Sequence, residues 1–233
     1  LELGGKSAAI VLDDADVSMA AQSAAVACFH AGQVCAATTR FLVHRSIYDD
    51  MVGMLQHVYS ALPVGDPRKP DTVCGPVASA RQRDRIMTMI EQATRSGAEL
   101  VVGGGVPAGL DKGFWVQPTL FVGVDHSSEL AQEEVFGPVL AVTPFEDDDE
   151  AVRLANDSRY GLSGSVFTAS TDRALAVARS VRTGTFMING GIYAGADAPF
   201  GGYKSSGIGR QGGTEGFESY VETKTIGSAV ELE

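Results

Sequence analysis

Long apolar runs are missing from this sequence. No stretch reaches the roughly 18 consecutive apolar residues that a membrane-spanning helix needs. The longest ones, such as Ala24–Phe29 and Val139–Val142, have the size of core segments. The first residues, Leu1–Lys6, lack the basic segment and following apolar segment of a secretory signal. We therefore expect no membrane partner and a cytoplasmic protein.

Basic charge is also scarce. The chain has 18 Lys and Arg residues against 29 Asp and Glu residues, which gives a formal net charge of −11 at pH 7. A nucleic-acid surface needs clustered basic side chains. The sequence therefore predicts no nucleic-acid partner, and the charge favours solubility without indicating a fold.

Cysteine and histidine are few and lack the spacing of a metal site. The three cysteines are Cys28, Cys35 and Cys74, and no two of them form a C-x-x-C pair. The four histidines share no ligand spacing either. An odd cysteine count without such pairs predicts neither a disulfide framework nor a zinc site. A reducing compartment is the expected setting.

Apolar, β-branched runs alternate along the chain with segments of helical periodicity. Strands are predicted over Ser7–Leu12, Arg40–His44, Glu99–Val102, Val139–Phe145, Ser163–Thr168 and Thr185–Asn189. Helices are predicted over Val17–His30, after Ser46, and over Ala78–Gly97, Asp147–Asn156 and Thr171–Val181. This alternation predicts an α/β fold, in which a mostly parallel sheet has helices on both faces in a three-layer α/β/α domain.

The pattern changes after Asn189. Residues Gly190–Gly213 are rich in glycine and show no periodicity, and a loop this long in a compact domain is usually functional. A short helix near Thr214–Tyr220 and a strand over Glu222–Val230 are predicted to close the chain. Because that strand follows the loop, we expect it to lie away from the main sheet.

Cys35 has an unusual local setting. It lies among small residues in the segment Ala31–Arg40, where a helix passes into a strand. Such a turn can expose a thiol and leave room for a carbonyl carbon, toward which thiolates are good nucleophiles. Composition alone favours the other interpretation, a buried and inert cysteine. Cys28, on an apolar helix face, and Cys74, after a proline-rich loop, are interpreted as structural.

Four segments together resemble the motifs of the aldehyde dehydrogenase superfamily, in the same order. They are Leu1–Ser7 (the glutamate motif), Gly32–Cys35 (the cysteine motif), Glu133–Val139 (the segment that meets the nicotinamide riboside) and Pro199–Gly207 (the motif near the substrate mouth). The resemblance extends from residue 1 to about residue 226. It implies an oxidoreductase that converts an aldehyde to a carboxylic acid with NAD or NADP.

The resemblance also implies a role for individual residues. Cys35 is the nucleophile and Glu2 the general base, for which a buried carboxylate is suited. Glu134 binds the cofactor ribose, since a carboxylate can accept from both hydroxyls of a vicinal diol. Phe136 packs near the nicotinamide. Gly137-Pro138 fixes the turn that presents Glu134 and Phe136. From position alone, Glu2 is interpreted as an edge-strand glutamate with no role, Glu134 as a surface charge on a helix and Phe136 as a core residue.

Substrate contacts are implied at the glycine-rich loop. Phe200 is expected to form an apolar wall of the aldehyde tunnel, and Ile192 and Tyr193 are expected to line its entrance. The entrance segment Gly190–Ala198 has no Lys or Arg. A carboxylate-bearing aldehyde would therefore find no basic anchor there, which favours neutral or apolar aldehydes.

The implied mechanism leaves alternatives open. Cys35 attacks the aldehyde to form a thiohemiacetal, loss of hydride gives a thioester, and water activated by Glu2 hydrolyses it. One alternative is an acylating relative that passes the thioester to coenzyme A, and the presence of Glu2 argues against it. The other is a structural or binding protein without activity, which loss of Cys35, Glu2 or Glu134 would have signalled.

The resemblance implies that this chain contains only part of the domains of a family member. Chains of the family are about twice this long, so residues 1–204 are expected to form the catalytic domain and residues 205–233 a tail with an oligomerisation strand. The upstream cofactor-binding domain would then be absent, and the fragment alone is expected to be inactive. The tail strand implies a homo-oligomer as the working state.

Overall fold

Seven strands form one sheet in the computed structural model, which describes residues 1–191 and 195–231. In chain order they are β1 (Ser7–Val11), β2 (Thr38–His44), β3 (Glu99–Val102), β4 (Thr119–Val122), β5 (Val139–Phe145), β6 (Ser163–Phe167) and β7 (Thr185–Ile188). Their order across the sheet is β3-β4-β5-β2-β1-β6-β7. Only the β3–β4 pair is antiparallel, and the other pairs are parallel. The predicted mostly parallel sheet is confirmed.

Helices cover both faces of the sheet. They are α1 (Val17–Ser23), α2 (Tyr48–Ala61), α3 (Ala80–Arg95), α4 (Glu129–Gln132), α5 (Asp148–Asn156), α6 (Thr171–Ser180) and α7 (Gly213–Glu218). Strand β1 shows how the layers arise: Ala9 and Val11 join the core beneath α2 and α3, whereas Ala8 and Ile10 join the core beneath α5 and α6. Successive side chains of a strand point to opposite faces, so two separate cores mean three layers.

Side chains at several helix starts satisfy the free backbone N–H groups there. The side chain of Asp16 accepts a hydrogen bond from the N–H of Met19, and Ser79 accepts one from Gln82. These caps place the starts of α1 and α3. Helix α1 is shorter than the predicted Val17–His30, because the chain passes at Ala24–Gly32 into a 3-10 segment with left-handed residues at its end.

The C-terminal strand predicted over Glu222–Val230 does not form within the single chain, and its pairing with another subunit stays a prediction. Residues Glu222–Val230 are exposed and contain no strand. A strand requires a partner edge for its N–H and C=O groups, and none of the seven strands of the sheet pairs with this segment. No helix within residues 1–191 and 195–231 is long and apolar enough to cross a membrane.

Candidate active site

Cys35 lies in a tight turn between the 3-10 segment and β2. The N–H of Ala37 donates to the carbonyl of Val34 over 3.1 Å, which closes the turn. The side chain of Gln33 ties it to two other segments: Nε2 donates to His30 O over 3.0 Å, and Oε1 accepts from the N–H of Ala78 at 3.0 Å. Cys35 is half-buried, whereas Cys28 and Cys74 are fully buried. Cys35 is therefore the most accessible of the three cysteines.

The other two cysteines are placed as the sequence predicted, inside the core. Burial raises the pKa of Cys74 to about 11 and raises that of Cys28 still further. A thiol that ionises so poorly is a weak nucleophile at neutral pH. Of the three, Cys35 is therefore the one suited to covalent chemistry.

Two adjacent glycines bring the Glu2 segment against both other motifs. A Cβ on Gly5 would lie 2.5 Å from the carbonyl oxygen of Cys35, and a Cβ on Gly4 would lie 2.6 Å from Oε2 of Glu134. The N–H of Gly5 donates to Oε1 of Glu134 over 3.0 Å. Only residues without a side chain permit this approach. The structure thus brings Cys35 and Glu134 together across the Gly4-Gly5 pair.

The surroundings of Cys35 disfavour its thiolate. Burial raises the pKa of the thiol, and the negative charges of Glu134 and Glu2 raise it further. Hydrogen bonding by the N–H of Ala36 acts in the opposite direction and lowers the pKa. A backbone N–H close to the sulfur is also the type of donor that stabilises an oxyanion on a bound carbonyl.

The turn that carries Glu134 and Phe136 is held by helix α3. Arg85 donates to the carbonyls of Glu134 and Val135 over 2.7 Å and 2.6 Å. Gln82 donates to the carbonyls of Val135 and Phe136 over 3.2 Å and 2.9 Å. Phe136 has φ +54°, a left-handed conformation that costs a residue with a Cβ about 1–2 kcal/mol. The four hydrogen bonds fix this strained conformation.

Glu134 is suited to receive hydroxyl groups. Its Oε1 is engaged by Gly5, while Oε2 accepts no hydrogen bond from the described part of the chain. Burial raises the pKa of this carboxyl, although the N–H of Gly5 and the positive charges of Lys6 and Arg85 lower it. The ring of Phe136 is 37% exposed and offers an apolar face beside it. These two side chains fit the ribose and nicotinamide end of a dinucleotide.

Glu2 and Phe200 line one open cavity of about 580 Å³. The Glu2 segment is anchored at Leu3, whose N–H donates to the carbonyl of Ser206 over 2.9 Å. The buried hydroxyl of Ser206 in turn accepts from the N–H of Gly161 at 2.9 Å. Glu2 itself is exposed to solvent, so the described residues do not supply the burial expected of it.

The loop that was predicted to line the entrance is only partly described. Phe200 pairs with Gln211 through two backbone hydrogen bonds of 2.7 Å, which fold the loop back on itself. The other two predicted substrate contacts, Ile192 and Tyr193, lie outside the described residues. Sequence reasoning missed Gln82 and Arg85, which bond to backbone groups far away in sequence and belong to no motif. It placed Ser206 in the motif Pro199–Gly207 but gave that residue no role.

Comparison with known proteins gives consistent matches. The model of the aldehyde dehydrogenase family matches residues 1–226. A 3-succinoylsemialdehyde-pyridine dehydrogenase from a Pseudomonas species is 45% identical over 228 residues, which are 97% of this chain and 48% of that protein. The chain spans about half the length of such relatives.

Solved structures resemble the fold closely. An aldehyde dehydrogenase of Mycobacterium tuberculosis, complexed with NAD+, superposes with a TM-score of 0.94 at 45% identity and covers 100% of this chain and 48% of its own. A betaine aldehyde dehydrogenase of Staphylococcus aureus, also with NAD+, has a TM-score of 0.91 at 44% identity, over 94% of this chain and 44% of its own.

Proposed function

Because this chain belongs to the aldehyde dehydrogenase family, we propose that it is the C-terminal catalytic half of an NAD-dependent enzyme that oxidises an aldehyde to a carboxylic acid. The proposal rests on one observation. Three motifs meet at Gly4-Gly5, and this contact places a half-buried thiol and two carboxylates close together. The solved relatives with NAD+ bound support NAD over NADP.

Each step assigned to this chain uses a residue placed above. The Cys35 thiol loses its proton to solvent, and the thiolate bonds to the aldehyde carbon as the C=O π bond opens. The resulting thiohemiacetal oxyanion lies near the backbone N–H of Ala36. Glu134 and Phe136 hold the ribose and nicotinamide end of the cofactor. NAD+, when bound, supplies the hydride acceptor that converts the thiohemiacetal to a thioester. Glu2 then takes a proton from a water molecule. The oxygen of that water bonds to the acyl carbon, the carbon–sulfur bond breaks, and the acid leaves.

The fragment alone is proposed to be inactive. Glu134 and Phe136 contact only one end of a dinucleotide, and the other end requires a surface outside this chain. We expect the 233-residue chain to bind NAD with a dissociation constant no better than about 1 mM. Calorimetric titration of the chain with NAD measures this, and micromolar binding would contradict it.

The decisive experiment replaces Cys35 by alanine in the full-length protein. Cys35→Ala should abolish aldehyde-dependent NAD reduction, while Cys28→Ala and Cys74→Ala should retain it and mainly lower stability. Adding coenzyme A to the unmodified protein separates hydrolysis from acyl transfer, because only an acylating enzyme would form an acyl-CoA. Oxidation that survives Cys35→Ala would remove the basis of the assignment.

Assembly is a second part of the proposal. The tail after Tyr220 is exposed and carries Val221, Thr223, Thr225 and Gly227 at every second position, and such a segment can add to the sheet edge of another subunit. We expect a homo-oligomer in which this tail is ordered. Sedimentation of the chain beside a version truncated after Tyr220 tests this, and two monomers at micromolar concentration would exclude the role here.

A further inference from the structure

The segment that carries Glu2 is held on both sides by one turn of the glycine-rich loop. The N–H of Leu3 donates to the carbonyl of Ser206 over 2.9 Å. The nitrogen of Leu1 donates to the carbonyl of Ile208 over 2.8 Å. Because both neighbours of Glu2 bond to this turn, the location of the turn determines where the Glu2 carboxylate lies.

The turn begins at Lys204 in an unfavourable backbone conformation. The φ of Lys204 is +54°, a left-handed value that is disfavoured for a residue with a Cβ. Such a conformation persists only where the surrounding structure holds it. Two backbone hydrogen bonds contribute, from Tyr203 to the carbonyl of Gly161 over 2.8 Å and from Ser205 to that of Arg159 over 2.9 Å.

The side chain of Lys204 contributes two more hydrogen bonds, at the end of helix α5. Its Nζ donates to the carbonyl of Asn156 over 3.0 Å and to that of Ser158 over 2.7 Å. The last carbonyls of a helix lack partners within the helix and carry the negative end of its dipole, so a cation is a favoured donor there. The ammonium of Lys204 therefore joins the turn to a regular element of the fold.

The end of α5 also holds the elements that lead to the other two motifs. Arg40, on the strand that follows the cysteine turn, donates to the carbonyls of Leu154 and Ala155 over 2.8 Å and 3.0 Å. Gln132, at the end of α4 and just before the cofactor turn, donates to the carbonyl of Asp157 over 3.1 Å. One helix end thus provides a common reference point for all three motifs.

Lys204 has no direct access to the reacting atoms. Among the described residues, the cavity shared by Glu2 and Phe200 is lined without Lys204, whose ammonium is engaged at α5. We propose that Lys204 is a positioning residue for Glu2, because its bonds to the end of α5 hold the turn against which the Glu2 segment lies. This inference rests on the role of Glu2 in thioester hydrolysis proposed above.

The expected kinetic effect is confined to the second half of the reaction. Attack by Cys35 and hydride transfer precede hydrolysis, so a displaced Glu2 should leave the burst of reduced NAD and kcat/KM for the aldehyde unchanged. In the full-length protein, Lys204→Met should lower kcat by roughly tenfold to hundredfold, and KM should fall in proportion. A merely structural role would instead reduce the burst amplitude and kcat/KM together, because less enzyme would be folded.

Three further variants separate the ammonium from folding. Lys204→Gly also removes the ammonium but adopts a positive φ without strain, so it should show the same kinetic change even if Lys204→Met fails to fold. Lys204→Arg keeps a cation at the end of α5 and should retain most of kcat. The exposed Lys112 provides the matched control Lys112→Met, which should change none of these constants. Dividing kcat by the burst amplitude counts only the folded sites.

A double variant tests whether Lys204 acts through Glu2. Lys204→Met combined with Glu2→Gln should slow hydrolysis no more than Glu2→Gln alone, because the carboxylate to be positioned is already gone. If Glu2→Gln slows hydrolysis but Lys204→Met and Lys204→Gly leave kcat per burst site unchanged, or if the two effects multiply, this inference is wrong and the proposed function stands. If Glu2→Gln itself leaves kcat unchanged, the proposed role of Glu2 is wrong and the inference fails with it.

Discussion

Replacing Gly32 by alanine would drive a methyl group into the backbone of the turn that contains Gly137 and Pro138. Gly32 has φ +73°, and a Cβ there would lie 2.0 Å from the carbonyl carbon of Gly137 and 2.4 Å from the nitrogen of Pro138. Carbon atoms in contact are normally about 3.5–4.0 Å apart. The turn of Cys35 and the turn of Glu134 would therefore have to separate by roughly 1.5 Å.

The expected loss of stability has two parts. Alanine in a left-handed conformation costs about 1–2 kcal/mol. Forcing an extra methyl into a packed position adds about 1–3 kcal/mol. Gly109 provides a matched control, since it has φ +76° and nothing lies within 4 Å of its added Cβ. Gly109→Ala should lower the free energy of unfolding by the first part alone. Gly32→Ala should lower it by about 2–5 kcal/mol in total.

Urea denaturation of the 233-residue chain measures both variants under the same conditions. If the m-values agree, the difference in midpoint reports the steric part alone. Gly32→Ala should also change the reactivity of the Cys35 thiol, whereas Gly109→Ala should not. Equal destabilisation by the two substitutions, within about 0.5 kcal/mol, would show that the two turns are not in contact.

Three further substitutions test the site. Glu2→Gln in the full-length protein should preserve a burst of reduced NAD and slow the steady state, and loss of the burst would contradict a role in hydrolysis. Arg85→Met should raise the KM for NAD by roughly fivefold to tenfold, with little change in the KM for aldehyde. Arg83→Met, which removes the ion pair with Asp84 and the cation–π contact with Phe114, should change neither. Glu134→Gln should lower the pKa of the nucleophilic thiol, measured by the pH dependence of iodoacetamide alkylation, and an unchanged profile would refute the electrostatic coupling.

The regular elements could largely be predicted because their patterns are local. Strands β1 and β5 are mostly apolar, and β6 consists of small residues followed by Val166 and Phe167; the predicted limits of all three differ from the observed ones by at most one residue. Strand β4 was not predicted, because four buried residues between Pro118 and Gly123 are too few to show a period. Short apolar runs do not separate strands from other buried segments.

Features set by distant contacts could not be predicted. The segment Val17–His30 has the composition of one helix, yet it ends early so that Gly32 can meet Gly137 across the fold. The same holds for Arg85, which looks like an exposed helix charge and bonds to carbonyls 49 and 50 residues away. The tail after Tyr220 has the alternation of a strand, but alternation cannot supply the edge with which a strand must pair.

The close packing of Gly4-Gly5 against Cys35 and Glu134 limits how the sequence of this site can change during evolution. Where two side chains are in contact, a substitution in one can be compensated by a substitution in the other, so both positions can change over time. At Gly5 the neighbour is a main-chain carbonyl, which every residue possesses, so no second substitution restores the lost space. Substitutions are tolerated more readily around Phe200, where side chains face an open cavity and can be exchanged one at a time.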